Sequence, residues 1–338
     1  MNMFLKRIFT FVVFLCIQFL GYAQDVQLSQ YYNAPLYLNP AMTGMGDNTR
    51  VGVNYRTQWT GIDKPFTSYS VFADHQIEPY NSGVGILYFR DVQGKDRLST
   101  NEFSLLYSYT IDLNNKWVFK PGLQAGFVTR DVDYSSSIFG DQLNNNGNTG
   151  SVSQDPLSTK SLSKQYLDFA AGGVVYNEYG WFGLSAHHLN QPNQAFNSAE
   201  PSRLPTKIAL QGGYKIYLKG KLARKKAYRG LINEISLTPT FNFKKQGTSS
   251  QFDLGTYFTY DAFMLGLWYR GLPIVKHETN VIANEAIVGM VGVHVQGLSI
   301  GYSYDYTISG LRLGSVHELS IMYEFKKEYK HYKKRRNS

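Results

Sequence analysis

Cysteine is all but missing from these 338 residues, with Cys16 the only one, and charged residues make up just 17% of the chain. Apolar runs are short too. After residue 23 no stretch reaches the roughly 18 residues that read as a membrane-crossing helix. Each shortage excludes something. Cys16 falls inside an N-terminal leader, so the mature chain carries no thiol, which removes disulfides, Cys-ligated zinc and thiol catalysis. The lack of long apolar runs removes a helical membrane protein. Few charges beside 15% aromatic residues argue against disorder, and 31 Gly without a three-residue period argue against a collagen.

The leader reads as a secretory signal peptide. Lys6 and Arg7 precede the apolar run 9–20, which only Thr10 and Gln18 interrupt, and Gly21-Tyr22-Ala23 forms a small-x-small cleavage site before Gln24. The run is too short for a lone anchor. Leu15 before Cys16 is not the small residue that a lipoprotein box needs.

The formal net charge of +9 invites a nucleic-acid or membrane-surface reading until the charges are located. The leader carries +2. Lys326, Lys327, Lys330, Lys333, Lys334, Arg335 and Arg336, against Glu328 alone, give the tail +6, leaving +1 for residues 24–325. A second basic cluster comprises Lys215, Lys219, Lys221, Arg224, Lys225, Lys226 and Arg229. The positive charge is thus confined to two patches, which is not the footprint of a nucleic-acid binder.

What the sequence does have is alternation. Val51, Val53 and Tyr55 alternate with Arg50, Asn54 and Arg56; Leu298, Ile300, Tyr302, Tyr304 and Tyr306 alternate with Ser299, Gly301, Ser303 and Asp305. Fourteen such segments are expected, near 50–59, 67–77, 83–92, 100–111, 116–128, 165–177, 180–189, 206–218, 231–243, 250–260, 262–271, 284–295, 297–307 and 315–326. The third and twelfth are ambiguous because both faces are apolar. A soluble β-sandwich alternates as well. Strand length near ten residues, aromatics toward the ends of the apolar face, an even count and connections that alternate in length favour an all-β fold: a transmembrane antiparallel β-barrel with short periplasmic turns and longer extracellular loops. In lipid every backbone N–H and C=O must be paired, and only a closed barrel achieves that with strands.

The polar half of the alternation then lines the lumen: Arg56, Asp74, Glu102, Lys120, Asp168, Lys207, Glu234, Asp253, Arg270, Asp305, Glu318 and Glu324. Mixed signs predict ion pairs across the interior rather than a selective ion path. The odd connections 129–164, 190–205 and 272–283 are long, and the first, with Asn144-Asn145-Asn146-Gly147-Asn148, is expected to be mobile. By the same count the basic turn 219–230 and the basic tail share the periplasmic rim. The expected organisation is a signal peptide at 1–23, an N-terminal segment at 24–48, the barrel at 49–326 and the tail at 327–338.

Chemistry is sparse. Ser185 and His187 share a face beside His188, but they lie along one strand with no oxyanion element in view. No metal-ligating spacing occurs among the seven His. Gly83-Val84-Gly85 lacks a following helix and reads as strand glycine. Neither a cofactor nor a catalytic set is expected.

The segment before the first strand differs from the rest. Gln30-Tyr31 leads to Leu38-Asn39-Pro40-Ala41 and a closing Gly44, with Asn39-Pro40 initiating a turn. By itself this reads as a strap that covers the periplasmic mouth or enters the lumen. Together with Tyr55-Arg56-Thr57-Gln58-Trp59, Gly83-Val84-Gly85 with Asp91, Ile138-Phe139-Gly140-Asp141-Gln142 and Arg203-Leu204-Pro205, it resembles the PorP/SprF family over residues 24–325. The resemblance implies an outer-membrane barrel of Bacteroidota, associated with type IX secretion and gliding motility. It implies a non-enzymatic role in secretion or surface anchoring of large adhesins with a C-terminal sorting domain. The motif positions expected to have a structural or partner role are Asn39, Pro40, Ala41, Gly44, Arg56 and Trp59. The basic positions Lys221, Arg224, Lys225, Lys226, Lys333, Lys334, Arg335 and Arg336 are candidates for contacting an acidic periplasmic or lipoprotein component, or lipid phosphate. The alternatives are a passive porin or hydrophobic-solute channel, and an outer-membrane hydrolase acting through Ser185 or His187.

Overall fold

The computed structural model describes residues 25–46, 48–94, 98–145, 147–156, 158–196, 201–219, 234–271, 286–308 and 314–325. The leader, most of the basic turn and the basic tail lie outside the described residues.

Fourteen strands form the wall: β1 (Arg50–Gln58), β2 (Phe66–Ile77), β3 (Ser82–Gln93), β4 (Leu98–Tyr109), β5 (Val118–Asp133), β6 (Ser161–Tyr176), β7 (Gly180–His187), β8 (Lys207–Tyr214), β9 (Ile235–Gln246), β10 (Ser249–Tyr260), β11 (Phe263–Arg270), β12 (Ala286–Val295), β13 (Leu298–Thr307) and β14 (Val316–Glu324). Each pairs antiparallel with its sequence neighbours, and β1 closes the ring against β14 in a register running from Arg50↔Glu324 to Gln58↔Val316. Every segment expected from the alternation is a strand of this barrel. A short extension, Ile216–Lys219, continues β8 past a break at Lys215 and pairs with the start of β9.

The burial pattern is inverted relative to a soluble protein. In β1 the polar Arg50, Asn54 and Arg56 are buried inside, while Val51, Val53 and Tyr55 are exposed outside. Leu105, Leu123, Leu265 and Leu267 are likewise more than half exposed, the arrangement that a lipid-facing wall requires. Tyr109, Trp117, Tyr260, Phe263 and Phe325 crowd the outer face near one end of the barrel, as an interfacial belt does. No helix among the described residues is long and apolar enough to cross a membrane.

That end is the turn end, where the chain enters β1. Its connections include 78–81, 177–179, 261–262 and 296–297. The opposite, loop end carries 134–160, 188–206, 271–285 and 308–315. Two of its connections, 94–97 and 247–248, are short, so the alternation of lengths is less regular than the sequence suggests. The long loop has local structure of its own. It is built from two 3-10 turns, Tyr134–Ser136 and Gly140–Gln142, and a small ladder of Leu143–Asn144 with Gly147–Asn148. Asp141 organises it by accepting from the Ser153 hydroxyl at 2.8 Å and the Gln154 N–H at 2.6 Å. Those two donors hold its carboxyl below the usual carboxylate range.

Residues 25–46 run inside the barrel, from the loop end to the turn end, as a chain of short turns: Tyr31–Asn33, Pro35–Leu38 and Pro40–Met42. Leu36, Asn39 and Ala41 have no exposed surface at all. The strap therefore occupies the lumen, the second of the two placements open from sequence.

The lumenal strap and its anchors

The strap fits because the wall is shaped for it. Inward-facing Phe72, Leu87 and Leu106 receive Leu36, while Val174 packs with Tyr31, Leu38, Ala41 and Met42. On the opposite wall Tyr257, Trp268, Val288 and Met290 form a patch against Tyr32. The lumen thus carries apolar patches beside the expected polar residues, and they explain the two ambiguous segments. Leu87 belongs to β3, and Val288 and Met290 belong to β12. Those strands are apolar on both faces because one face meets lipid and the other meets strap.

Space is made by missing side chains. A Cβ at Gly122 would lie 2.4 Å from Ala41 Cα, and one at Gly83 would lie 2.5 Å from the Thr43 carbonyl oxygen. Both neighbours are backbone, so they cannot rotate away. Gly83-Val84-Gly85 is thus a groove for the strap rather than an incidental strand glycine.

Asn39 fixes the central turn. Its Oδ1 accepts from Ala41 N–H at 2.9 Å, capping Pro40–Met42, and its Nδ2 donates to the Leu184 carbonyl on β7 at 3.1 Å. Pro40 suits the first position of that turn because its N–H is not needed there. Ser185 Oγ donates to the Leu38 carbonyl at 3.1 Å, so this hydroxyl is a strap anchor. No hydrogen bond joins Ser185 to His187 among the described residues, and the geometry gives no support to a nucleophile–base pair.

Near the turn end Gly44 adopts φ 61°, a left-handed conformation that favours glycine. Its N–H donates to Asp74 Oδ2 at 2.6 Å and its carbonyl accepts from Lys120 Nζ at 2.7 Å. Arg50 Nε donates to Asp74 Oδ1 at 3.0 Å, and Arg50 Nη2 reaches the Met42 carbonyl at 3.0 Å. A buried Arg–carboxylate pair is thereby tied to the last turn of the strap.

Toward the loop end the charges are denser. Arg56 faces Asp305 at 3.4 Å and Glu318 at 3.5 Å; Arg270 Nη1 donates to Asp305 at 2.6 Å. Ser29 sits among them: its N–H donates to Glu318 Oε2 at 2.6 Å and its hydroxyl to Asp305 Oδ2 at 2.7 Å. Mixed lumenal charges thus close on one another and on the strap. Asp25 meets three elements: Lys207 Nζ at 2.6 Å, His188 Nε2 at 2.8 Å and Gln246 Nε2 at 3.0 Å. His188 also bonds Asp168 through Nδ1 at 2.8 Å. Burial opposes charge on His188, but Asp25 and Asp168 outweigh it and push its pKa up to about 9. Burial likewise raises Asp25, yet Lys207 and His188 hold its carboxyl well below the usual range. Sequence reading missed this cluster, since Asp25 lies 163 positions from His188.

The six motif positions do not form one site. Asn39, Pro40, Ala41 and Gly44 belong to the strap, and Arg56 touches it through Ser29. Trp59 stands apart at the loop end, with φ 62° and its ring 4.7 Å from Phe66. Lys221, Arg224, Lys225, Lys226, Lys333, Lys334, Arg335 and Arg336 lie outside the described residues. Of the cluster that begins at Lys215, only Lys215 and Lys219 fall within the described residues, and Glu234 pairs with Lys215. Among the described residues no group of three or more His, Cys, Asp or Glu is placed to hold a metal ion.

Among solved structures, the chain is similar to a FadL homologue of Pseudomonas aeruginosa, at 14% identity over 85% of this chain and 93% of that one, with a TM-score of 0.42. It is also similar to the P. putida toluene transporter TodX, at 9% identity over 88% and 95%, with a TM-score of 0.48. A mutant porin of Rh. blastica matches at 8% identity over 82% and 98%, with a TM-score of 0.33. No curated protein matches the chain. The family described as "Type IX secretion system membrane protein PorP/SprF" matches residues 20–323, nearly the whole barrel and its strap. The chain belongs to the PorP/SprF family and is an outer-membrane barrel component of the type IX secretion system.

Proposed function

We propose that this barrel is a non-enzymatic surface anchor. It supports the secretion or surface retention of large adhesins with a C-terminal sorting domain, as part of the gliding machinery, and it does not conduct them through its lumen. The observation that carries the reading is the strap, whose backbone and side chains are bonded to the wall from Asp25 near the loop end to Gly44 near the turn end. A lumen filled in this way counts against the rival reading, a passive porin or hydrophobic-solute channel. The outer loops, of which 134–160 is ordered by Asp141 and Gln142, are the surface on which a cargo domain would sit.

Deleting the gene should leave the adhesin unattached or unsecreted. Normal surface adhesin in the deletion strain would sink the idea. On the periplasmic side we assign the basic turn 219–230 and the tail, with Lys221, Arg224, Lys225, Lys226, Lys333, Lys334, Arg335 and Arg336, to contact with an acidic periplasmic or lipoprotein component of the machinery. Neutralising both patches should lower recovery of that component in pull-downs, and unchanged recovery would refute the contact. Mature processing near Ala23 is part of the same reading, and N-terminal sequencing of the purified protein tests it.

A further inference from the structure

The outer wall of the barrel is not smooth. On its lipid-facing side β1 to β4 and β14 surround a depression of about 300 Å³. Ala73 makes the hollow. The register sets it between Val51 on β1 and Ile86 on β3, and both of those branched side chains are exposed. A side chain that stops at Cβ leaves a gap between theirs, which Val71, Phe103 and Ile321 border. No charged side chain lines it. Its volume equals roughly ten waters at ~30 Å³ each, room for a run of methylenes.

A second observation lies just above it. Tyr88 lines the depression, and Arg90 is the next outward residue of β3 toward the loop end, about 7 Å further on. The lumenal Arg50, Arg56 and Arg270 are all paired with carboxylates. Arg90 is partly buried on the lipid side, yet it makes no hydrogen bond or ion pair among the described residues. Asp131 and Asp133 share with it a separate hollow nearer the loop end, but neither comes within ion-pair distance. Across the strands Arg90 faces Tyr69 and Asn101. The Tyr88 hydroxyl donates to Asn101 Oδ1 at 3.2 Å, which leaves Asn101 Nδ2 available as a donor beside the guanidinium. A partly desolvated cation of this kind is costly unless an anion meets it. Long loops face the cell exterior in such barrels, so Arg90 belongs to the outer-leaflet side of the wall.

We propose that this face binds one phosphate-bearing lipid of the outer leaflet, with an acyl chain in the depression over Ala73 and the phosphate on Arg90 and Asn101. A guanidinium suits that head group because it meets phosphate oxygens with two parallel N–H donors. Contact with bulk lipid requires neither a hollow nor an unpaired cation above it. The site lies on the outside of the wall, away from the strap, and stands without the proposed anchoring role.

The test uses the full protein purified in a neutral detergent. Myristoyl lysophosphatidic acid is the probe, and monomyristoylglycerol, with the same chain and no phosphate, is the control. Native mass spectrometry should show one lysophosphatidic acid retained per barrel, saturably and at least tenfold more tightly than the control. Arg90→Gln should weaken lysophosphatidic acid at least tenfold and leave monomyristoylglycerol unchanged. Ala73→Phe, which fills the hollow, should weaken lysophosphatidic acid at least tenfold with Arg90 still present. Lys116→Gln, an exposed cation at the turn end, should change nothing. Heat-modifiable migration on gels verifies that each variant is a folded barrel. Inorganic phosphate separates the sources of the anion: it should not displace the lipid, and displacement at equal concentration would identify a free-anion site and overturn the proposal. So would the absence of saturable binding, unchanged binding in Arg90→Gln or Ala73→Phe, or equal binding of monomyristoylglycerol, any of which reduces the face to ordinary lipid contact.

Discussion

The backbone N–H of Ser29 donates to the carboxylate of Glu318 at 2.6 Å, joining the strap to the last strand of the barrel across 289 positions of sequence. Around this bond Arg56, Arg270 and Asp305 complete a charged cluster inside a lipid-facing shell. It is one of three charged anchors along the strap, the others being Asp25 with Lys207 and His188, and Gly44 with Asp74 and Lys120.

Asp74 is the hub of the turn-end anchor, so Asp74→Ala leaves Arg50 buried without its carboxylate and frees Gly44. Removing one partner of a buried pair costs on the order of 3–5 kcal/mol. Denaturant titration of the folded barrel in detergent should show that loss. A change below about 1 kcal/mol would mean that Arg50 finds another partner.

Asn39→Ala removes a turn cap and a bond to β7, a loss of roughly 1–2 kcal/mol by the usual worth of a cap and one hydrogen bond. Gly122→Ala acts differently, because its Cβ meets strap backbone at 2.4 Å. It should displace the strap while leaving the wall closed. Hydrogen exchange should report faster exchange at residues 38–43 in both variants, with the strand amides of β5 unchanged.

His188 gives the loop-end anchor a pH dependence with a definite sign. Its folded pKa is raised to about 9, above the ordinary 6.5. The stability it contributes is fully present below pH ~6.5 and is lost as pH rises through about 9. Asp25, whose pKa is depressed, acts in the acid direction only. Protease accessibility near residue 25 should therefore increase between pH 7 and 9.5. His188→Gln should flatten that profile, and an unchanged profile in the variant would assign the effect elsewhere.

Asp141→Ala removes the acceptor that folds the long loop. Cleavage within 134–160 by external protease should become faster, while thermal unfolding of the barrel stays within about 0.5 kcal/mol, as for surface changes away from the core. A large drop in barrel stability would show that the loop supports the wall.

The wall was legible in sequence because lipid and lumen impose a period of two on every strand. Val51–Tyr55 and Leu298–Tyr306 show it plainly. The strap was legible as a segment of different composition, but its path was not. Nothing local in Asp25 or Ser29 tells which of fourteen strands it meets. Gly122 looks like any strand glycine until Ala41 is seen against it. Leu87, Val288 and Met290 blurred the alternation because they face a second apolar partner, so the ambiguity itself marked the strap's seat. Trp59 shared a motif with Arg56 only through adjacency in sequence, since one points into the lumen and the other stands on the rim.

The central claim is that cargo is held at the outer surface while the strap stays in the lumen. Residues 24–338 contain no cysteine, so Asn33→Cys with Ser320→Cys, whose native side chains bond at 2.9 Å, gives a single introduced pair there that a short bifunctional maleimide can bridge. Surface adhesin should be measured on cells carrying the bridged barrel, on unbridged cells and on the deletion strain. The account predicts wild-type surface adhesin with the strap locked in place and loss only in the deletion. Loss of adhesin on bridging, with the barrel still folded, would contradict it and mean that the strap must leave for the protein to work.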